Sequence, residues 1–222
     1  MTTLGMRKPH ADRGIEGIAA KWYASSTAEM MQEYVDLAGR VSDQVPQGSA
    51  ALEIAPGPGY FSIELAKRGS FKITGLDLSH TMVSLASKKA VEAGVKVDFK
   101  QGSASNMPFP AGSFDFLLCR AAFKNFAKPV EALKEMCRVL RPGGHGMLIG
   151  LKRNASAKEI SQGIDGMKLS WLNRALTKLA FKTMLIKSAY TKGEFQQMLA
   201  QTEFSKIEIN EDYMGFEIWM TK

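Results

Sequence analysis

The chain has 222 residues, of which 45% are apolar and 23% charged, and a net charge of +7. That length and balance fit one soluble α/β domain with a full core, and exclude a disordered or fibrous chain. The first residues lack an apolar leader, no apolar run approaches the roughly 18 residues needed to cross a bilayer, and Cys119 and Cys137 have no metal-ligand spacing. The expectation is a cytoplasmic protein with reduced, buried thiols and no metal. The positive charge is local. Residues 151–192 carry Lys152, Arg153, Lys158, Lys168, Arg174, Lys178, Lys182, Lys187 and Lys192 against Glu159 and Asp165, leaving the remainder formally neutral. That argues against a polyanion-binding protein as a whole.

In chain order, residues 11–46 read as helical, with Ile15, Ile18, Ala19 and Trp22 on one face. Strands are expected near 50–55, 71–77, 95–101, 114–120 and 144–150, with helices at 59–69, 79–93 and 128–140. Strand and helix patterns in alternation mark a mostly parallel sheet. In the last helix Val130, Leu133, Met136 and Leu140 recur at a helical period, and Arg141-Pro142-Gly143-Gly144 stops it. Residues 155–200 form a long, largely helical insertion. Residues 205–209 and 215–220 alternate and are close enough to pair as an antiparallel hairpin. The segments 1–47 and 155–200 are expected to lie over the carboxyl ends of the strands, where open α/β sheets bind ligands.

The most informative stretch is Ala51-Leu52-Glu53-Ile54-Ala55-Pro56-Gly57-Pro58-Gly59-Tyr60-Phe61. A strand, a Gly/Pro turn and a helix in that order bring backbone N–H groups and a helix N-terminus close to a ligand. Asp77 closes the next strand, where a carboxylate can grip a ribose diol. Together they predict a nucleoside-containing cofactor. A dinucleotide fingerprint, G-x-G-x-x-G, fails because Ser62 stands at its third glycine. Glu53 would also repel a pyrophosphate, whereas it suits a cationic amino-acid group.

These residues resemble the class I S-adenosyl-L-methionine-dependent methyltransferases, most closely their small-molecule branch, from about residue 48 to 222. The resemblance rests on Glu53 to Gly59, on Gly75-Leu76-Asp77-Leu78-Ser79, on Met107 to Asp115, and on Arg138-Val139-Leu140-Arg141-Pro142-Gly143-Gly144. It implies a Rossmann-like α/β fold: a seven-stranded mixed sheet of order 3-2-1-4-5-7-6, strand 7 antiparallel, with helices on both faces. It also implies a single methyltransferase domain over 1–222, capped by helices at 1–47 and carrying a lid at 155–200. By the same resemblance S-adenosyl-L-methionine would be held by Glu53, Ala55, Pro56, Gly57 and Gly59 at its methionine end and by Asp77 at the ribose. Leu78, Met82, Ser103, Ala104 and Arg120 would complete the site, with Tyr23 closing over it. Ala55 stands where the family has glycine, and Ser103 where it often has an acid.

An acceptor would meet Phe123, Lys124 and Asn125 beyond the fourth strand, and Trp171 in the insertion. Lys124 can deprotonate an acceptor or pair with an acidic one. His10, His80 and His145 read as structural, so no general base is assigned. Arg174, Lys178 and Lys182 form a cationic stripe beside Leu172, Leu176 and Leu179. This stripe reads as a lid's solvated face, then as an attractor for an anionic or apolar acceptor, then as a weak interfacial membrane contact. The readings left open are a small-molecule methyltransferase, an RNA methyltransferase, disfavoured for want of an RNA-binding motif, and a non-methylating cyclase. The acceptor and the oligomeric state are not legible in the sequence.

Overall fold

The structure, a computed structural model, describes residues 14–165, 186 and 188–222. The expectations for His10, Trp171 and the cationic stripe of Arg174, Lys178 and Lys182 lie outside these residues. Two helices come first, α1 (Gly17–Ala28) and α2 (Met31–Gln44). Then come β1 (Ala50–Ile54), α3 (Tyr60–Ala66), β2 (Lys72–Asp77), α4 (His80–Glu92), β3 (Asp98–Gln101) and β4 (Phe114–Arg120). A 3-10 turn at Phe123–Asn125 leads to α5 (Pro129–Val139), β5 (Leu140–Leu151), α6 (Ala157–Asp165), α7 (Lys192–Leu199), β6 (Lys206–Glu211) and β7 (Gly215–Thr221).

The seven strands form one sheet of order β3-β2-β1-β4-β5-β7-β6. β1 runs parallel to β2 and β4, and β4 parallel to β5, whereas β7 is antiparallel to both β5 and β6. The order and the terminal hairpin are those expected from the sequence. Strand alternation sorts the core. Leu52 and Ile54 of β1 and Leu117 and Cys119 of β4 join the cluster under α5 and α7, while Ala51, Phe116 and Leu118 face Leu37 and Val41 of α2 and Phe61 and Leu65 of α3. Each fully buried Leu or Phe contributes about 1.5–3 kcal/mol. Glu53 has the parity of Ala51, so the pleat sends its carboxylate towards the face covered by α2 and α3.

Three expectations need correction. The sequence places a strand at 144–150, but β5 begins at Leu140, directly after α5. The Pro-Gly-Gly segment therefore belongs to the strand, and its register against β4 shifts between Phe114 and Phe116, with Gly143 at φ +76°. Secondly, the apolar face of α1 is turned outward. Ile18 and Trp22 are 87% and 71% exposed, and the buried side chains are Ala20 and Ala24. Small side chains let the helix backbone lie close to the body, so the large ones point away. Thirdly, part of the expected lid belongs to the body. α7 buries Phe195, Met198 and Leu199 in the main core and starts at a Thr191/Glu194 capping box. α6 is held by Ile160 and Ile164 against Ile186 and Met214.

Candidate functional site

The crevice is built where β1, β2 and β4 end. After Ile54 the chain turns through Ala55 at φ +54°, Gly57 at φ +54° and Gly59 at φ +76° before α3 begins. At Gly59 a Cβ would meet Phe99 Cζ at 2.6 Å and the Ala86 Cβ at 2.9 Å, so only glycine fits. Ala55 is different. It holds a left-handed conformation that costs an L residue about 1–2 kcal/mol, and its N–H donates to the Leu76 carbonyl at 2.8 Å. Ala55→Gly is therefore expected to raise stability by about 0.5–1 kcal/mol, the strain relieved less the extra entropy of glycine; urea denaturation checks it.

Glu53 is 4% exposed. Ser62, in the first turn of α3, donates to its Oε2 from both the backbone N–H at 3.1 Å and the hydroxyl at 2.5 Å. Oε1 has no hydrogen-bond donor among the described residues. Burial raises the carboxyl to a pKa of about 7, the two Ser62 bonds and the Arg120 charge opposing the rise. A buried carboxylate oxygen without a donor is costly, and an ammonium group is what would satisfy it.

Asp77 ends β2 one strand away. Its Oδ2 accepts the Gly57 N–H at 3.0 Å and its Oδ1 accepts the Ser79 N–H at 2.9 Å, so it braces the turn after β1. Ser79, not Asp77, caps α4, accepting from the Met82 N–H at 3.0 Å. Burial raises the Asp77 pKa despite these bonds. Each carboxylate oxygen keeps a further lone pair for a hydroxyl.

Helices from the N-terminal part cover this crevice. Tyr23 of α1 is half-buried, and its Cε1 lies 3.7 Å from where a Gly57 Cβ would stand. Burial raises its phenol pKa, and the Asp77 charge adds to the rise. Glu16 accepts from the backbone N–H groups of His80 (2.9 Å) and Thr81 (3.0 Å) and from the Thr81 hydroxyl, which anchors the start of α1 to the N-terminus of α4. Ser79 Oγ donates to the Ile15 carbonyl at 2.7 Å in the same junction. Tyr34 of α2, also over the crevice, has its pKa raised to about 12, chiefly by burial.

The remaining expected site residues divide. Arg120 is committed to α2, bonding Glu33 Oε2 at 2.5 Å and lying 4.4 Å from the centre of the Tyr34 ring. Met82 is 3% exposed and Phe123 2%; Phe123 packs on Phe195, Tyr190 and Phe126 rather than opening onto the crevice. Leu78, Ser103 and Ala104 are half-buried, and Ser103 Oγ accepts from the Ser105 N–H at 3.3 Å. Pro56 is buried in the turn, next to the space above Gly75. Asn125 is exposed. Lys124 is half-buried and donates to the carbonyl of Ala121, itself at φ +60°, at 2.7 Å; burial lowers its pKa. His145 bonds the Thr221 hydroxyl across β5 and β7, away from the crevice. Sequence reasoning missed Glu16, Glu33 and Tyr34. Ser62, the partner of Glu53, was visible only as the residue that spoils a dinucleotide fingerprint.

A mixed sheet, parallel at its centre, with a left-handed turn after β1, an acid inside β1 and a second acid ending β2 is an arrangement in which open α/β sheets place a ligand crevice. Residues 52–148 match the methyltransferase domain family. A demethylmenaquinone methyltransferase of Deinococcus radiodurans is 40% identical over 106 residues, 47% of this chain and 44% of that protein. The ubiquinone/menaquinone biosynthesis C-methyltransferase UbiE of Bdellovibrio bacteriovorus is 37% identical over 103 residues, 46% and 44% of the two chains. The matches thus span less than half the length of these relatives. Among solved structures, one assigned to the S-adenosyl-L-methionine-dependent methyltransferases of Methanococcus maripaludis superposes with a TM-score of 0.75 at 22% identity, covering 98% of this chain and 97% of that one. The plantazolicin methyltransferase BamL, solved with S-adenosyl-L-homocysteine, superposes at 0.67 and 16% identity, covering 91% and 89%. These solved methyltransferases share the fold of this chain.

Proposed function

We propose that the protein transfers a methyl group from S-adenosyl-L-methionine to a small-molecule acceptor, releasing S-adenosyl-L-homocysteine. The observation that carries this reading is the donorless Oε1 of buried Glu53 beside the left-handed turn, with Asp77 one strand away. In this reading Glu53 and residues 55–59 hold the amino-acid end, and Asp77 the ribose hydroxyls. Leu78, Met82, Ser103 and Ala104 border the base, Arg120 holds α2 in place, and Tyr23 closes over the top. When bound, the cofactor supplies an electrophilic methyl group on a cationic sulfur, and a neutral thioether is left behind. What the chain must add is alignment and exclusion of water, which together can supply roughly 7–11 kcal/mol. No general base is named.

The acceptor end is assigned to Lys124 and Asn125, with Phe123 as backing, and Trp171 is kept as a candidate contact from the sequence alone. The names of the relatives favour a quinone-precursor ring, and a half-buried ammonium beside aromatic side chains suits an acidic or phenolic one. We place this chemistry in the cytoplasm, in one domain over 1–222 with a cap at 1–47 and an insertion at 155–200, of which α7 belongs to the body. Among the described residues no helix is long and apolar enough to cross a membrane.

Incubation with methyl-labelled cofactor, demethylated quinone precursors and a metabolite extract is expected to label a small molecule. Label confined to RNA or protein would overturn the acceptor class, and binding without turnover would favour a cyclase-like role. Lys124→Gln is expected to lower kcat/KM at least about tenfold, the loss of one charged hydrogen bond. Calorimetry with S-adenosyl-L-homocysteine should show its affinity unchanged in that variant.

A further inference from the structure

We propose that Arg120 reads the carboxylate of the ligand's amino-acid end, which the crevice thereby takes as a zwitterion, ammonium on Glu53 and carboxylate on Arg120. The inference rests on the methyltransferase reading and narrows it. Glu53 can meet only the cationic half of an amino acid, and the amides of the glycine turn cannot meet the other. Between residues 55 and 59 every backbone N–H is spent: Ala55 donates to the Leu76 carbonyl, Gly57 to Asp77 Oδ2, and Gly59 to the Pro56 carbonyl at 3.0 Å. Pro56 and Pro58 have none to give. Where the amides are occupied, an anionic group needs a side-chain donor.

The pairing of β1 with β4 supplies one. Glu53 stands opposite Leu118, and Arg120 follows two residues later with the same parity. Both side chains therefore leave the sheet on the face covered by α2 and α3, their Cα atoms about 8 Å apart. The Arg120 side chain is 16% exposed. Glu33 takes a single N–H of its guanidinium, and the Tyr34 ring covers one face at 4.4 Å from its centre. This contact with α2 fixes the group without exhausting its fork of donors. The Arg120 charge opposes the rise that burial imposes on the carboxyl of Glu53 and on the phenols of Tyr23 and Tyr34, so it stands among the residues around the crevice. The carboxylates of Glu53, Asp77 and Glu33 surround it with negative charge. A planar cation in that setting suits an anion that accepts two bonds at once.

The test is calorimetry of the full chain with S-adenosyl-L-homocysteine and with its decarboxylated analogue, which keeps the ammonium and lacks only the carboxylate. The wild type is expected to bind the intact nucleoside at least about tenfold more tightly than the analogue. Arg120→Gln is expected to bring that ratio down to about one, and Arg120→Lys, a charge without the fork, to an intermediate value. Loosening of α2 shifts both affinities together, so the ratio separates recognition of the carboxylate from anchoring of the helix. A ratio unchanged in Arg120→Gln, or near one in the wild type, overturns the proposal and leaves the methyltransferase reading standing. Failure of the wild type to bind either nucleoside overturns both. Should thermal melts show that Arg120→Gln does not fold, Arg120→Lys decides, and a full wild-type ratio in that variant overturns the proposal.

Discussion

Replacing Asp77 with alanine is expected to weaken S-adenosyl-L-homocysteine binding about 100-fold, equivalent to ~2.8 kcal/mol. Two effects add. A charge-assisted bond to a ribose hydroxyl contributes about 1.5–3 kcal/mol. The same carboxylate also accepts the Gly57 N–H at 3.0 Å and the Ser79 N–H at 2.9 Å, so its removal loosens the turn that must meet the amino-acid end. Asp77→Asn separates the two, because its amide oxygen can still brace one N–H but lacks the charge. Isothermal titration should therefore rank wild type above Asn above Ala. Equal affinity in all three would remove the ribose role.

Glu53→Gln is expected to move stability and binding in opposite directions. With a pKa of about 7 in the folded chain against 4.5 for the free side chain, Glu53 stays protonated in the fold where the unfolded chain has already ionised. Unfolding then releases a proton, so stability falls as pH rises from about 4.5 to about 7 and levels off above. The total is on the order of 3 kcal/mol for a group this buried. The glutamine side chain cannot ionise, and its amide oxygen can keep the two Ser62 bonds. The variant's stability should be flatter across that window, and at pH 8 its melting temperature should exceed the wild type's by roughly 3–8 °C. Binding should go the other way, about 100-fold weaker for loss of the counter-charge to an ammonium. In the wild type, affinity should decline about fivefold from pH 7 to pH 6, as the carboxylate takes up a proton. Thermal melts and titrations from pH 5.5 to 8 check both arms, and tight pH-independent binding to the Gln variant would end the role given to Glu53.

The strands, the turn after β1 and the closing hairpin could be read from the sequence because each is signalled locally, by a period of two, by glycine and proline, or by strand spacing; the sheet order was implied only by the family resemblance. Helix positions in the N-terminal part were legible too, but which face they bury was not. A helix that approaches through Ala20 and Ala24 looks, by periodicity, like one that packs through Ile18 and Trp22. Arg120 looked like a ligand contact because it ends a strand at the crevice. Its partners, Glu33 and the Tyr34 ring, sit 87 and 86 positions earlier, and no local pattern announces them. In the sequence Ala55 is simply an alanine where the resembled family has glycine. Only the backbone, at φ +54°, reveals that it is held under strain.

The junction between Glu16 and the start of α4 bears on which nucleosides can enter. A helix opening with free amides ordinarily offers a seat to phosphate. Here the amides of His80 and Thr81 are already filled by a carboxylate of the chain itself. In the proposed reading the ribose hydroxyls lie at Asp77 beside this helix end, so an adenosine phosphorylated on one of them would meet negative charge where it needs a donor, while a free hydroxyl would not. The folded chain thereby disfavours an anion at that end of α4 before any ligand arrives.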